Sequence, residues 1–152
     1  MKPLPPSDVL ATLVTNVTKT MLGITFAPVP QMTPPAELRW KTAVLPIPGA
    51  RAITVGLSSD QPGCKALSAA MFQCPAADVD PSMMDDSLRE LVNITAGLVK
   101  GTLGLDQALG LPRVLSSVDH IQFGPPQGQA VVLSAQGLGL VLWVCEGIQT
   151  FN

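Results

Sequence analysis

Two polar side chains that could do chemistry together, Glu90 and Asn93, lie close to each other in the segment 85–101. Apolar residues recur in this segment at the spacing of an amphipathic helix, which predicts one buried and one exposed face. The buried stripe is expected to contain Leu88, Leu91, Val92, Thr95, Leu98, Val99 and Thr102. The opposite stripe then presents a carboxylate and a carboxamide one turn apart, which indicates a docking surface with two functional groups.

Two glycines, Gly97 and Gly101, lie on the same predicted exposed stripe. A glycine in a helix interior costs roughly 1 kcal/mol relative to alanine. A helix that retains two of them often does so where another backbone or a partner comes close. We expect Asp85 and Asp86 at the N-terminus of this helix, where side-chain acceptors and negative charge are favoured.

The elements that must position this helix are predicted from hydrophobic periodicity and turn residues. We expect further helices over residues 7–22 and 61–73, and strands over residues 38–45, 50–57, 113–123, 129–136 and 138–148. The tetrapeptide Pro46-Ile47-Pro48-Gly49 lies between the first two strands and favours a tight turn. Together these segments predict an α+β fold in which helices pack on one side of a mostly antiparallel sheet.

The predicted helix resembles the signature helix of the CheC/CheX chemotaxis phosphatases through Asp86, Glu90, Asn93 and Gly97. The order of helices and strands extends this resemblance over nearly the whole chain. It implies a single CheX-like domain over residues 1–152, with a Pro-rich tail over residues 1–6. A short echo of the signature around Asn16 has Leu13 in place of the glutamate, which is similar to the CheX arrangement with one site per chain.

The resemblance implies a phosphatase whose substrate is the phospho-aspartate of a response-regulator receiver domain, CheY or a relative. Asn93 would orient the attacking water, because an amide both donates and accepts hydrogen bonds and adds no negative charge beside an anion. Glu90 would pair with a lysine of the receiver and set the register of docking. The docking surface would also contain Asp86, Gly97, Lys100 and Gly101. No cofactor of its own is implied, and Mg²⁺ is expected on the receiver.

Two other functions stay open at this point. A non-catalytic module of the same fold, resembling flagellar-switch components, would bind a regulator without hydrolysing its phosphate. An unrelated metal or thiol enzyme would need a metal site or a reactive cysteine. The intact pair Glu90 and Asn93 favours the phosphatase, because a pure binding module has no need of an amide that orients water.

The composition favours an apolar interface and disfavours nucleic acid as a partner. Hydrophobic residues make up 47% of the 152 residues and charged residues only 13%, against a usual charged fraction of about 25%. We expect a homodimer on this ground, although a surface of Ser, Thr, Gln and Pro would explain the same composition. The net charge is −2 and no cluster of Lys and Arg occurs, so nucleic acid is not expected to bind.

No segment predicts targeting to a membrane or export. The N-terminal residues are interrupted by prolines and lack the apolar core of a signal peptide. No apolar run is long enough to span a bilayer. We therefore expect a cytoplasmic protein with no membrane partner.

The cysteines and the histidine do not form a metal site in the sequence. Cys64, Cys74 and Cys145 lack zinc spacing and are expected to be buried, reduced thiols. Asp119 and His120 are adjacent on a predicted strand, so their side chains would point to opposite faces. The prediction is that the protein holds no metal.

Overall fold

The computed structural model describes residues 2–30, 36–116 and 128–149. These contain helices α1 (Ser7–Leu22), α2 (Gln61–Phe72) and α3 (Pro81–Leu103). The strands are β1 (Ala27–Pro28), β2 (Lys41–Ile47), β3 (Ile53–Ser59), β4 (Arg113–Ser116), β5 (Gly128–Ala135) and β6 (Leu138–Glu146). Short 3₁₀ turns lie at Ala36–Arg39 and Ala76–Asp78.

The strands form one six-stranded sheet with the order β1-β5-β6-β3-β2-β4, and each neighbouring pair is antiparallel. Strand β2 lies between β3 and β4, so Lys41 is paired with Ser59 on one side and with Ser116 on the other. The helix α3 packs on β2 and β3, next to α1 and α2. The central strands therefore form the platform on which α3 lies.

The main core fills the space between the three helices and one face of the sheet, as alternating strand residues require. The predicted α+β fold with helices on one side of an antiparallel sheet is confirmed. A second apolar cluster lies on the opposite face of the sheet and contains Leu38, Val44, Val132, Val141, Trp143 and Cys145. The sheet is thus apolar on both faces, which explains why β2 and β3 are buried along almost their whole length.

A glycine in the middle of β3 makes room for the tryptophan of the second cluster. Gly56 is paired with Trp143 of β6, and a Cβ at Gly56 would lie 2.0 Å from Trp143 Cε2. Real Cβ atoms do not approach carbon atoms so closely, so no larger residue fits here unless the ring moves. Glycine at this position is therefore required by packing.

The helix α3 begins earlier than the sequence pattern predicted. Asp80 is its N-cap, with a side-chain oxygen that accepts a hydrogen bond from Met83 N at 2.9 Å, and Pro81 follows in the first turn. Prolines are favoured there because the first N–H groups of a helix have no partner inside the helix. Asp85 and Asp86 consequently lie inside the helix, and the prediction that they form its N-terminus is wrong.

Two strand boundaries also differ from the predicted ones. Strand β2 continues through Pro46 and Ile47, and β3 begins only at Ile53, so the connection is later than the predicted turn. Pro46 is tolerated because its strand neighbour β4 begins only at Arg113, opposite Val44, and does not reach Pro46. The Pro46 carbonyl accepts a hydrogen bond from Gly110 N at 2.7 Å. The end of the predicted strand 113–123, with Asp119 and His120, lies outside the described residues.

Candidate functional site

The helix α3 is anchored by a continuous apolar stripe. Its buried residues are Met84, Ser87, Leu88, Leu91, Val92, Thr95, Ala96, Val99 and Leu103. Complete burial of an aliphatic side chain of this size contributes about 1.5–3 kcal/mol. The thirteen-residue span from Leu91 to Leu103 is thus held to the sheet on one side only, and the opposite side faces solvent.

The six predicted site residues lie on the side of α3 that faces away from the sheet. Asp86, Glu90, Asn93, Gly97 and Gly101 are exposed, whereas Lys100 is half-buried. Their spacing of three and four residues places them along one face, because an α-helix has 3.6 residues per turn. The Glu90 carboxylate and the Asn93 carboxamide are therefore accessible together, with the glycines one to two turns further along.

The carboxylates of α3 differ in their charge compensation. Asp85 Oδ1 lies 2.7 Å from Lys41 Nζ, and Asp86 Oδ1 lies 2.9 Å from Arg89 Nη1. Within the described ranges, Glu90 makes no ion pair. Glu90 is thus the carboxylate of this helix whose charge is available to a cation outside the chain.

The glycines on the exposed face are not required by the protein's own packing. Among the described residues, a Cβ at Gly97 or at Gly101 would have no heavy atom within 4 Å apart from its chain neighbours and the backbone of its own helix. The contrast with Gly56 is clear, because there the space is occupied by a tryptophan ring. Gly97 and Gly101 leave a strip of exposed backbone that another molecule can approach closely.

One apolar side chain borders this strip, contrary to the sequence pattern. Leu98 is 41% exposed, although it was predicted in the buried stripe. The buried position at that turn is taken by Val99, and each helical step rotates the side chain by about 100°. Leu98 therefore lies next to Gly97 and Gly101 and adds an apolar edge to the exposed face.

The sequence pattern did not identify the two cations that neutralise the neighbouring acids. Arg89 could have been recognised from its position three residues after Asp86, which is a favourable helical spacing for opposite charges. Lys41 gave no local signal, because it lies on β2 and meets Asp85 only through the fold.

Two of the three cysteines, Cys64 and Cys145, are buried inside the protein. Burial raises the pKa of the Cys64 thiol to about 12 and that of Cys145 to about 11, so both are protonated at neutral pH. All three cysteines are free thiols, and Cys74 is half-buried. Among the described residues, no group of His, Cys, Asp and Glu is placed to hold a metal ion.

The helices of the described ranges are 16, 12 and 23 residues long. None of these helices combines the length and the apolar character needed to cross a bilayer.

Solved structures with the same fold cover almost the entire chain. A CheX protein from Desulfovibrio desulfuricans matches with a TM-score of 0.72 and 19% identity, over 93% of this chain and 98% of the other. CheX from Vibrio vulnificus matches with a TM-score of 0.74 and 18% identity, over 92% and 95% of the two chains. CheX from Borrelia burgdorferi, solved in a complex with CheY, BeF3 and Mg²⁺, matches with a TM-score of 0.71 and 13% identity, over 95% and 99%.

The sequence itself matches one protein family. No curated protein sequence matches the chain. The family described as chemotaxis phosphatase CheX matches residues 42–134, which is more than half of the chain and includes the exposed face of α3. With the fold, this match shows that the chain belongs to the CheX family of chemotaxis phosphatases.

Proposed function

We propose that this protein hydrolyses the aspartyl phosphate of a response-regulator receiver domain of the CheY type. Its family is one of chemotaxis phosphatases, and the Borrelia burgdorferi relative was solved in a complex with CheY. The observation that carries the proposal is the exposure of Glu90 and Asn93 on one face of α3, beside a strip of bare backbone.

In the proposed reaction, Asn93 orients the water that attacks the phosphorus atom. The water must lie in line with the bond to the leaving carboxylate, and such positioning can account for much of the barrier reduction. The Asn93 amide can accept a hydrogen bond from the water and donate one to a phosphoryl oxygen. Because the amide is neutral, it brings no negative charge next to the phosphoryl group.

Glu90 has the role of pairing with a lysine of the receiver. The neighbouring carboxylate of Asp86 already forms an exposed ion pair with Arg89 at 2.9 Å, so Glu90 is the less compensated of the two carboxylates for an approaching cation. Such a pair fixes the orientation of two surfaces more than it increases their affinity. In this arrangement Glu90 sets the position of the receiver, and Asn93 lies one turn away from it.

The remainder of the proposed docking surface contains Asp86, Gly97, Lys100 and Gly101, with Leu98 as an additional apolar contact. The glycines allow the backbone of α3 to approach the receiver closely. Mg²⁺ bound to the receiver supplies the charge neutralisation of the phosphoryl group. In this proposal the protein needs no cofactor of its own, and it acts where receivers are found, in the cytoplasm.

The proposal is tested by mixing the protein with a phosphorylated receiver and following the loss of phosphate. We expect hydrolysis to be faster than that of the receiver alone. Binding of the receiver without faster hydrolysis would contradict the proposal and favour the alternative, a module of the same fold that only binds a regulator.

A further inference from the structure

A partly buried ion pair joins the candidate helix to the sheet, because the Lys41 side chain is 9% exposed and the Asp85 side chain 30% exposed. Lys41, at the beginning of β2, is only 7% exposed, and its Nζ lies 2.7 Å from Oδ1 of Asp85 in the second turn of α3. The other ion pairs of the described residues do not make this connection. Asp86 and Arg89 both belong to α3, and Arg51 pairs with Glu146 at the opposite end of the sheet, beside β3 and β6. The contact between Lys41 and Asp85 is thus the charged link between α3 and its platform.

An ion pair that is removed from water is an inefficient means of stabilising the contact between a helix and a sheet. The desolvation of a buried charge can exceed the attraction to its partner, and apolar residues of similar volume often replace a buried pair with no loss of stability. The rest of the interface between α3 and the sheet is mainly apolar and therefore largely non-directional. An ion pair with a fixed distance adds direction, because it favours one rotation of the helix about its axis.

The rotation of α3 matters for the chemistry on its exposed face. Side chains extend roughly 5–6 Å from a helix axis, so a rotation of about 15° displaces them by about 1.5 Å. A misplacement of about 1 Å at a reacting centre can lower a rate about 100-fold. Asp85 lies only five residues before Glu90 and eight before Asn93, so its contact is close enough along the helix to control both.

We infer that Lys41 and Asp85 are positioning residues, whose ion pair sets the rotation of α3 and thereby aims Asn93 and Glu90 at the receiver. This inference rests on the proposed function. The pair does not touch the receiver in this account, and its effect is transmitted by the helix that carries the site.

The first test compares activity with stability in three proteins. The double variant Lys41→Met/Asp85→Leu replaces the ion pair with apolar residues, and the control Arg51→Met/Glu146→Leu does the same to the pair at the far end of the sheet. We expect the first variant to unfold at nearly the same urea concentration as the natural protein. Its kcat for phosphate loss should fall about tenfold or more, with a much smaller change in KM. The control should keep its kcat.

The second test needs no receiver. The side-chain amide signals of Asn93 are assigned by NMR from their absence in Asn93→Ala. We expect these signals to shift in Lys41→Met/Asp85→Leu and to stay in place in the control. If the natural protein shows no phosphatase activity, the proposed function is wrong. The positioning role of Lys41 and Asp85 is then still tested by the shifts of the Asn93 amide signals.

Two conservative single variants test the same inference if the double variant does not fold. Lys41→Arg keeps a cation next to Asp85 and is expected to retain most of the kcat and the Asn93 signals, whereas Asp85→Asn, which keeps the side-chain volume, should change both. Unchanged Asn93 signals without the ion pair, or a loss of kcat that merely follows the loss of stability in all variants, would overturn the inference.

Discussion

Glu90 carries the charge through which the exposed face of α3 is expected to engage a receiver. Its neighbours Asp85 and Asp86 each face a cation within the protein, whereas Glu90 has no such partner in the described ranges. A surface carboxylate without a partner interacts strongly with an incoming cation only when binding removes water from both. The role of Glu90 therefore depends on the complex and can be measured as a binding energy.

We predict that Glu90→Gln weakens binding of a receiver activated with beryllofluoride by about tenfold and reduces the salt dependence of binding, because an interfacial ion pair is lost. Titration calorimetry at two ionic strengths measures both effects. Glu37→Gln, which removes an exposed carboxylate outside α3, is the control and should leave the affinity unchanged. Equal losses of affinity in Glu90→Gln and Glu37→Gln would mean that Glu90 contributes only through the overall charge of the protein.

The cysteines provide a prediction about reactivity. Burial holds the pKa of Cys64 near 12 and that of Cys145 near 11, so at pH 8 both are thiols rather than the nucleophilic thiolates. Iodoacetamide should therefore modify Cys74 first in the folded protein, and the other two only after unfolding. Peptide mapping by mass spectrometry distinguishes the three. Rapid modification of Cys64 in the folded protein would contradict its burial.

Individual residues differ in how well the sequence predicts their positions. Glu90 and Asn93 could be placed on an exposed face because helical periodicity depends only on local spacing. Leu98 was misplaced because it lies at the border of the apolar stripe, where Val99 competes for the buried position. Lys41 could not be paired with Asp85, because that contact depends on the packing of a helix on a distant strand.

At the scale of elements, the two ends of α3 show which residues in a sequence mark the beginning and the end of a helix. Its N-cap is an Asp followed directly by Pro, which is a recognisable helix start. Asp85 and Asp86 offer the same kind of acceptor further along, and the apolar stripe alone does not decide between the two starts. The end of the helix at Gly104 has a φ of 68°, which a glycine adopts without strain.

The exposed glycines of α3 lead to a prediction in which stability and binding change in opposite directions. Gly97→Ala should raise the free energy of unfolding by about 0.5–1 kcal/mol, because alanine favours the helix and its Cβ meets no neighbour. The same methyl group should weaken binding of the activated receiver severalfold, because it separates the two surfaces. Urea unfolding and calorimetry measure the two quantities.

Gly56→Ala is the control for the stability measurement, because it adds the same methyl group at a glycine where the packing leaves no room for it. Its Cβ would lie 2.0 Å from Trp143 Cε2, so we expect a loss of about 1–3 kcal/mol or more in the free energy of unfolding. If Gly97→Ala binds the receiver as tightly as the natural protein, the exposed glycine strip is not part of the interface.

For the whole molecule, the hairpins were easier to predict than the order of the sheet. Strands β5 and β6 are joined by Gln136 and Gly137, whose φ values of 49° and 84° suit a two-residue hairpin turn. The contacts of β6 with β3, and of β1 with β5, join segments far apart in the chain. Those pairings arise from the packing of the complete core, so local periodicity does not specify them.

The low content of charged residues still favours a homodimer. In the described part of the chain, β1 and β4 form the edges of the sheet, and an edge strand can pair with another copy. We predict twice the monomer mass of 15.9 kDa by light scattering at micromolar concentration. A monomeric mass over the whole working range would contradict this prediction.

The proposed role of Asn93 in orienting the attacking water is tested most directly by the single-turnover rate of phosphate loss from a phosphorylated receiver saturated with protein. We predict that Asn93→Ala lowers this rate about 100-fold or more, while the affinity for the receiver changes little. Asn16→Ala, which alters the exposed asparagine of α1, should keep the natural rate. An Asn93→Ala protein that hydrolyses the phosphate as fast as the natural one would contradict the account.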